Sequence, residues 1–271
     1  MGIHGLRQQK KIVAPRRLRK GGKRNGVRRR VRNKRAFVPR HQVIAVITAL
    51  GSVEGENPGA LAGLRLGTHS LLEMVVDRVA KCAGGCVVLV AAEGVDAAKK
   101  VLGTRAEVCA AKHFDLDTIL ASVAPTAAPV VLLHDLAYPF AGPALMTKVA
   151  LEALDHGAGI CVGPALAAVG EVNDGFVLPP VSATHLQSIA MPQAFLLESL
   201  QHLHAGTGNG DILADQLWKA LHVQGEEVSA VPNPRFNIRI ATSLDWITAR
   251  KVIWPWLQAR SKPEQGRLTP R

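Results

Sequence analysis

Pro129-Val-Val-Leu-Leu-His-Asp-Leu-Ala-Tyr-Pro-Phe140 is the stretch whose reading decides the fold. Val130 to Leu133 is a continuous apolar run, the pattern of a strand buried on both faces of a sheet. The run stops on His134-Asp135, and Pro139 rules out further ladder pairing. In an open parallel α/β sheet, ligands bind just outside the carboxyl ends of the strands. Asp135 therefore stands where a metal-binding or sugar-facing carboxylate would sit. The same position also suits a turn or helix cap, and the sequence leaves both open.

Upstream, Val43-Ile-Ala-Val-Ile-Thr-Ala-Leu50 reads as the first buried strand, opening into the loop Gly51-Ser-Val-Glu-Gly-Glu-Asn-Pro-Gly59. A helix is expected from about Thr68 as N-cap, with Leu71, Leu72, Val75, Val76 and Val79 on one face. Cys86 to Ala92 reads as a second strand, Val95 to Leu102 as a short helix and Arg105 to Cys109 as a third strand. Downstream, a helix is expected over Pro143 to Leu154 and a strand over Gly159 to Val162. Helices follow over Leu196 to Leu203 and Asp211 to Leu221, then last strands over Val228 to Val231 and Phe236 to Ile240. Strands alternating with helices predict an α/β fold, a doubly wound and mostly parallel sheet with right-handed crossovers.

The chain has 271 residues and a formal net charge of +12, distributed very unevenly. The first 40 residues hold 16 of the 33 Lys and Arg and no acid; the first acidic residue is Glu54. The other residues hold 17 basic against 21 acidic side chains, a net of −4. The organisation expected is a basic arm over 1–41, an α/β domain over 42–260 and a polar tail over 261–271. Self-repulsion and low hydrophobicity predict an arm that is disordered when free. RNA, the ribosome, DNA or an anionic lipid surface would suit it, each with steep salt dependence. A solubilising tail, a transit segment or an upstream mis-assigned start codon would account for the same composition. Phe37 is the arm's one aromatic residue, which argues against base stacking.

No run of 18 or more residues is apolar and free of charge, so no transmembrane helix is expected. No apolar h-region stands at the N-terminus, so no signal peptide is expected. Cys82, Cys86, Cys109 and Cys161 lack the paired spacing of a zinc site. They read as thiols in a reducing cytoplasm. The glycine loop after the first strand could seat a phosphate against backbone N–H groups, although it matches neither G-x-G-x-x-G nor G-x-x-x-x-G-K-[ST].

Several ordered motifs resemble the 2-C-methyl-D-erythritol 4-phosphate cytidylyltransferases of isoprenoid synthesis, from about Val43 to Val252. Ala45-Val-Ile-Thr-Ala-Leu-Gly-Ser52 resembles the family's opening strand and CTP loop, and Leu71-Leu-Glu73 the start of its next helix. His134-Asp-Leu-Ala-Tyr-Pro139 is similar to His-Asp-Ala-Ala-Arg-Pro. Met191-Pro-Gln-Ala-Phe195 is similar to Thr-Pro-Gln-x-Phe. Asn237-Ile-Arg-Ile-Ala-Thr-Ser-Leu-Asp245 is similar to Asn-Ile-Lys-Ile-Thr-x-x-x-Asp.

The resemblance implies a Rossmann-like nucleotidyltransferase domain, a homodimer formed through a protruding β-arm, and Mg²⁺-dependent transfer from CTP to methylerythritol phosphate. It implies nucleotide contacts at Ala49, Leu50, Gly51, Ser52, Gly55, His134 and Asp135, with Asp135 facing the metal. It implies substrate contacts at Asp211, Asp215, Arg239 and Thr242, with Arg239 and Asp135 as the catalytic pair. Asp211 also reads as a plain N-cap. The dimerising arm would fall around Ala167 to Gln187, where Asp174-Gly175 suggests a hairpin turn.

The sequence departs from the family where cations are expected. Gly55 stands in place of the loop Arg, Ala60-Leu61 in place of Pro-Lys, and Tyr138 in place of the Arg before Pro139. Ala167 to Val172 replaces Asp-Thr-Ile-Lys, and Arg239 alone keeps its charge. Arg65, in the following segment, is a candidate replacement cation. One lost transition-state donor costs roughly 10²–10³ in rate, so reduced or lost catalysis is expected. The alternative is a catalytically inactive homologue acting as a nucleotide-binding or scaffold protein, held to RNA or the ribosome by its arm.

Overall fold

Val130 to Asp135 does form a strand at the centre of the sheet, and alternate side chains leave it in opposite directions. In the computed structural model, Val130 and Leu132 join one hydrophobic layer while Val131 and Leu133 join the other. All four are fully buried, which is why the run is continuously apolar rather than alternating. The structure describes residues 37–54, 60–165, 172–173, 176–177, 186–207 and 212–261, all within the compact unit Lys34–Arg271.

Seven strands make the main sheet: β1 (Val43–Thr48), β2 (Gly85–Val90), β3 (Glu107–Ala110), β4 (Val130–Asp135), β5 (Gly157–Pro164), β6 (Gln187–Leu196) and β7 (Glu227–Pro232). Their order is β7-β5-β6-β4-β1-β2-β3. All neighbouring pairs are parallel except those of β6, which runs antiparallel to β4 and β5. Helices α1 (Leu71–Val79), α2 (Val95–Leu102) and α4 (Pro143–His156) cover one face. Helices α3 (Leu116–Val123), α5 (Leu197–Thr207) and α6 (Leu217–Val223) cover the other. This is the doubly wound, mostly parallel α/β architecture expected. Two further short helices, α7 (Ser243–Thr248) and α8 (Trp254–Ser261), close the chain.

Several local expectations are corrected. Helix α1 starts at Ser70, not Thr68, because Ser70 Oγ accepts from Glu73 N at 3.2 Å while Glu73 returns a bond to Ser70 N at 2.8 Å. Such a reciprocal box satisfies two helix-end donors together. Helix α3 was not anticipated; Asp115 caps it by accepting from Thr118 N at 2.9 Å. Strand β6 was not anticipated either, since Pro192 interrupts its pattern. The ladder accommodates Pro192 by a register shift between Ala190 and Gln193, the kind of irregularity where a sheet tolerates proline. The helix expected from Asp211 begins at Leu217, after a 3₁₀ turn over Ala214–Gln216. Phe236 to Ile240 is not a strand but an irregular segment. A short ribbon pairs Val172–Asn173 with Phe176–Val177, flanking the expected Asp174-Gly175 turn; that turn itself lies outside the described residues.

Gly159 fixes how closely α4 lies on β5. A Cβ there would stand 2.2 Å from the Val149 carbonyl oxygen and 2.9 Å from Glu152 Cβ. Only glycine permits that approach.

Candidate functional site at the end of the central strands

Asp135 ends β4 in register with Thr48, the last residue of β1. The chain then turns sharply: Asp135 Oδ1 accepts from Ala137 N at 2.8 Å, and its carbonyl accepts from Tyr138 N at 2.9 Å. Asp135 thus caps its own turn, as the plain reading had it. It also lines a cavity of about 660 Å³. Burial raises its carboxyl pKa, opposed by the Ala137 amide and by the Arg239 charge.

Two groups beneath the surface hold the turn. His134 is fully buried, and its Nε2 donates to the Tyr138 carbonyl at 3.1 Å. Burial pushes its pKa down to about 3, so the ring is neutral. Its ring supports the turn from beneath, and it is not among the residues that line the cavity. Arg78 of α1 donates to the Pro139 carbonyl, and burial lowers its pKa as well.

The segment after β7 crosses this turn. Asn237 Nδ2 donates to the Met191 carbonyl at 2.9 Å and to Asn233 Oδ1 at 2.8 Å. Ile240 N then donates to the Ala137 carbonyl at 2.7 Å. Between these anchors Arg239 reaches the cavity wall shared with Asp135, Asp215 and Tyr138. Thr242, expected at the substrate, is the N-cap of α7: its hydroxyl accepts from Asp245 N at 3.2 Å, and Asp245 accepts from Thr242 N at 2.8 Å.

The loop after β1 meets the site from the other side. Ala49 is buried and donates to the Leu89 carbonyl at 2.8 Å. Leu50 N approaches Thr48 Oγ1 at 3.4 Å, and Ser52 is exposed. A Cβ on Gly51 would lie 3.9 Å from Asp135 Oδ1, so the loop abuts the carboxylate. Glu54 N donates to the Ala241 carbonyl at 2.8 Å, tying the loop to the Arg239 segment. None of Ala49 to Ser52 lines the cavity. Gly55 and Asp211 lie outside the described residues, as do the basic arm before Phe37, the segment 166–171 and the tail after Ser261.

The cation count decides the electrostatics. Among its described lining residues the cavity presents Arg239 against two carboxylates, Asp135 and Asp215. Arg65 is not among the residues that line it; its guanidinium donates to the Thr68 carbonyl. Leu61, matched with the family's loop Lys, is fully buried in the core. Tyr138, matched with the family's Arg, lines the cavity, and burial raises its pKa.

Two lining residues escaped the site expected from sequence. Gln193 is 2% exposed, and its Oε1 has no hydrogen-bond donor among the described residues; nothing in its motif marks the side chain as a wall of the site. Arg235 opens on a second cavity of about 500 Å³, which shares Tyr138, Ile189, Ala190 and Arg239 with the first. Its position on an irregular segment leaves no periodicity to read.

A mixed sheet of this order, with its carboxylate at the end of the central strand, defines an α/β fold of nucleotidyltransferase type. Residues 43–254 match the profile of the 2-C-methyl-D-erythritol 4-phosphate cytidylyltransferase family, and the chain belongs to that family. It is 27% identical over 231 residues to the bifunctional enzyme IspD/IspF of Maricaulis maris, covering 78% of this chain and 57% of that protein. It is 28% identical over 123 residues to the 2-C-methyl-D-erythritol 4-phosphate cytidylyltransferase of Bacillus mycoides, covering 45% of this chain and 54% of that enzyme. The chain spans little more than half the length of these curated relatives. In fold it is similar to the 4-diphosphocytidyl-2C-methyl-D-erythritol synthase of Anaerococcus prevotii, with TM-score 0.63 and 22% identity over 80% of this chain and 98% of that one. The cytidylyltransferase of Thermus thermophilus follows at TM-score 0.62 and 21% identity, over 77% and 98%.

Proposed function

We propose that this chain is a methylerythritol phosphate cytidylyltransferase homologue that keeps the ligand cavity and has reduced or lost catalysis. One observation carries the reading: among its described lining residues the cavity beside Asp135 offers one cation, Arg239, against two carboxylates. In nucleotidyl transfer the acceptor's phosphate oxygen bonds to the α-phosphorus of CTP, and the bond to the bridging oxygen breaks to release pyrophosphate. No proton transfer is required. The protein's part is to position the phosphates and neutralise their charge. Two carboxylates beside a triphosphate oppose this, because like charges repel.

Arg239 would hold an acceptor phosphate, and Asp135 would be the carboxylate toward Mg²⁺. The donor set is thin: no cluster of three or more His, Cys, Asp or Glu suited to a metal occurs among the described residues. A carboxylate such as Asp135, with Oδ1 engaged by Ala137, fits an ion that takes most ligands from phosphates and water. Mg²⁺, when bound, supplies neutralisation of the triphosphate. The test is pyrophosphate release from CTP, Mg²⁺ and methylerythritol phosphate, with CTP binding measured in parallel. Binding with turnover near background is expected. Turnover at ordinary enzyme rates (median about 10 s⁻¹) would sink the loss of catalysis; absence of CTP binding would sink the cavity's use for nucleotide, not the cavity itself.

A second reading rests on the 16 cations in the first 40 residues. The arm would anchor the domain to RNA or the ribosome, with the domain as nucleotide sensor or scaffold. Substituting those cations should abolish RNA retention; unchanged retention would dismiss the anchor. A homodimer through the segment at 167–187 is supported by the ribbon at Val172–Asn173 and Phe176–Val177, where Phe176 is 76% exposed. A cytoplasmic location suits the four unpaired cysteines. No helix among the described residues is long and apolar enough to cross a membrane.

A further inference from the structure

Two departures from the family motifs converge in space. Tyr138 replaces an Arg and Met191 replaces a Thr, on different elements of the chain, yet both line the larger cavity. Trp218, Phe114, Leu213 and Ile189 complete that wall. A site for a polyhydroxylated sugar phosphate or a triphosphate would line itself with donors and cations. This one has exchanged two such positions for an aromatic and a thioether side chain.

Charge is distributed the other way in the adjoining cavity. Arg235 and Arg239 line it together with Ser188, Asn233 and Asn237, and no carboxylate lines it among the described residues. Arg239 belongs to both cavities and so stands where they join. Neither arginine is in an ion pair among the described residues, and both are exposed to solvent. Paired guanidinium groups are the side chains best matched to one phosphate or carboxylate.

We propose that the joined cavities bind a small molecule with a single anionic head, clamped by Arg235 and Arg239, and an apolar, ring-sized body seated against Trp218, Met191 and Tyr138. This deepens the reading of a retained cavity by naming the ligand class that its wall favours, and it rests on that reading. Gln193 Oε1, which lacks a donor among the described residues, gives the body's edge a place for one N–H or O–H. Asp215 would favour the same kind of donor.

Calorimetric titration of the full chain with phenyl phosphate, glycerol 3-phosphate and inorganic phosphate tests this. The three share the anionic group, so the basic arm contributes alike to each. Phenyl phosphate is expected to bind at least ~10-fold more tightly than the other two, from burial of its ring. Arg235→Ala should weaken all three by ~5- to 20-fold. Met191→Thr and Trp218→Ala should erase the preference for the phenyl group and leave phosphate affinity in place, with unchanged circular dichroism showing that each variant folds. Equal affinities, a preference for glycerol 3-phosphate, or no binding of phenyl phosphate would overturn the proposal. CTP binding without any phenyl preference would overturn it while leaving the nucleotide reading standing. A phenyl preference without CTP binding would do the reverse.

Discussion

The amide of Ile240 donates to the carbonyl of Ala137 at 2.7 Å. That bond joins the turn after the central strand to the segment after the last one. Arg239 and Asp135 flank it, so backbone geometry, not an ion pair, brings the acid and the base to one cavity wall.

Asp135 should be a group whose ionised form costs stability. Burial raises its pKa, so the folded chain holds the proton more tightly than the unfolded chain. Folding is then favoured as pH falls through the raised value and penalised above it. Asp135→Asn, which keeps the acceptor for Ala137 N, should raise stability at pH 7.5 and converge with the wild type in acid. Denaturation curves at both pH values test this; a loss of stability at pH 7.5 would refute it. The same variant should lose Mg²⁺-dependent CTP binding.

His134 gives a pH dependence of the opposite sense. Its pKa falls from 6.5 to about 3 in the folded state, so the unfolded chain takes up the proton first. Stability should decline below pH 6.5, by about 2 kcal/mol at pH 5 for this one group. His134→Gln keeps a donor for the Tyr138 carbonyl and removes the titration. Urea midpoints at pH 7.5 and 5.0 should diverge less in the variant; equal divergence would show that His134 contributes nothing.

Restoring the family's cations should succeed at one position and fail at another. Tyr138→Arg places a guanidinium on the cavity wall and should tighten CTP binding ~10-fold or more. Leu61→Lys puts an ammonium at a fully buried core position and should cost several kcal/mol. Thermal melts separate the two. A stable Leu61→Lys protein would mean that the loop can open and present this residue to ligand.

Gly159→Ala should destabilise the domain by about 2–3 kcal/mol, because the added methyl would meet Val149 O at 2.2 Å. Gly142→Ala is the control: a Cβ there meets nothing within 4 Å, and its φ of −90° suits any residue. Its cost should be smaller, of order 1 kcal/mol or less for the helix cap it occupies. Equal costs would mean that α4 moves off β5 freely.

The central strands were legible because their signal is local. A strand buried on both faces must be apolar along its length, and Val43 to Ile47 and Val130 to Leu133 are so in any context. The family motifs were legible for the same reason. Strand β6 was hidden because Pro192 breaks its pattern, and only two neighbouring strands make the irregular ladder worth forming. Helix α1 was placed two residues early because Thr68 and Ser70 are both good caps; the reciprocal bond with Glu73 decides between them.

Asp135, Asp215 and Arg239 could be named from motif and position, since a carboxylate or guanidinium announces itself by type. What each touches could not. His134 has its ring buried beneath the turn, and Thr242 caps a helix with its hydroxyl. Gln193 and Arg235 became candidates only when the turn after β7 was laid over the end of β4. By itself, then, the sequence determined the central parallel strands, the family and the exchange of the family's cations, which are properties of residue type and local pattern. Tertiary structure alone decided which side chains share a cavity, because that depends on hydrogen bonds between segments far apart in the chain, and the Ile240–Ala137 bond has no signature in either segment.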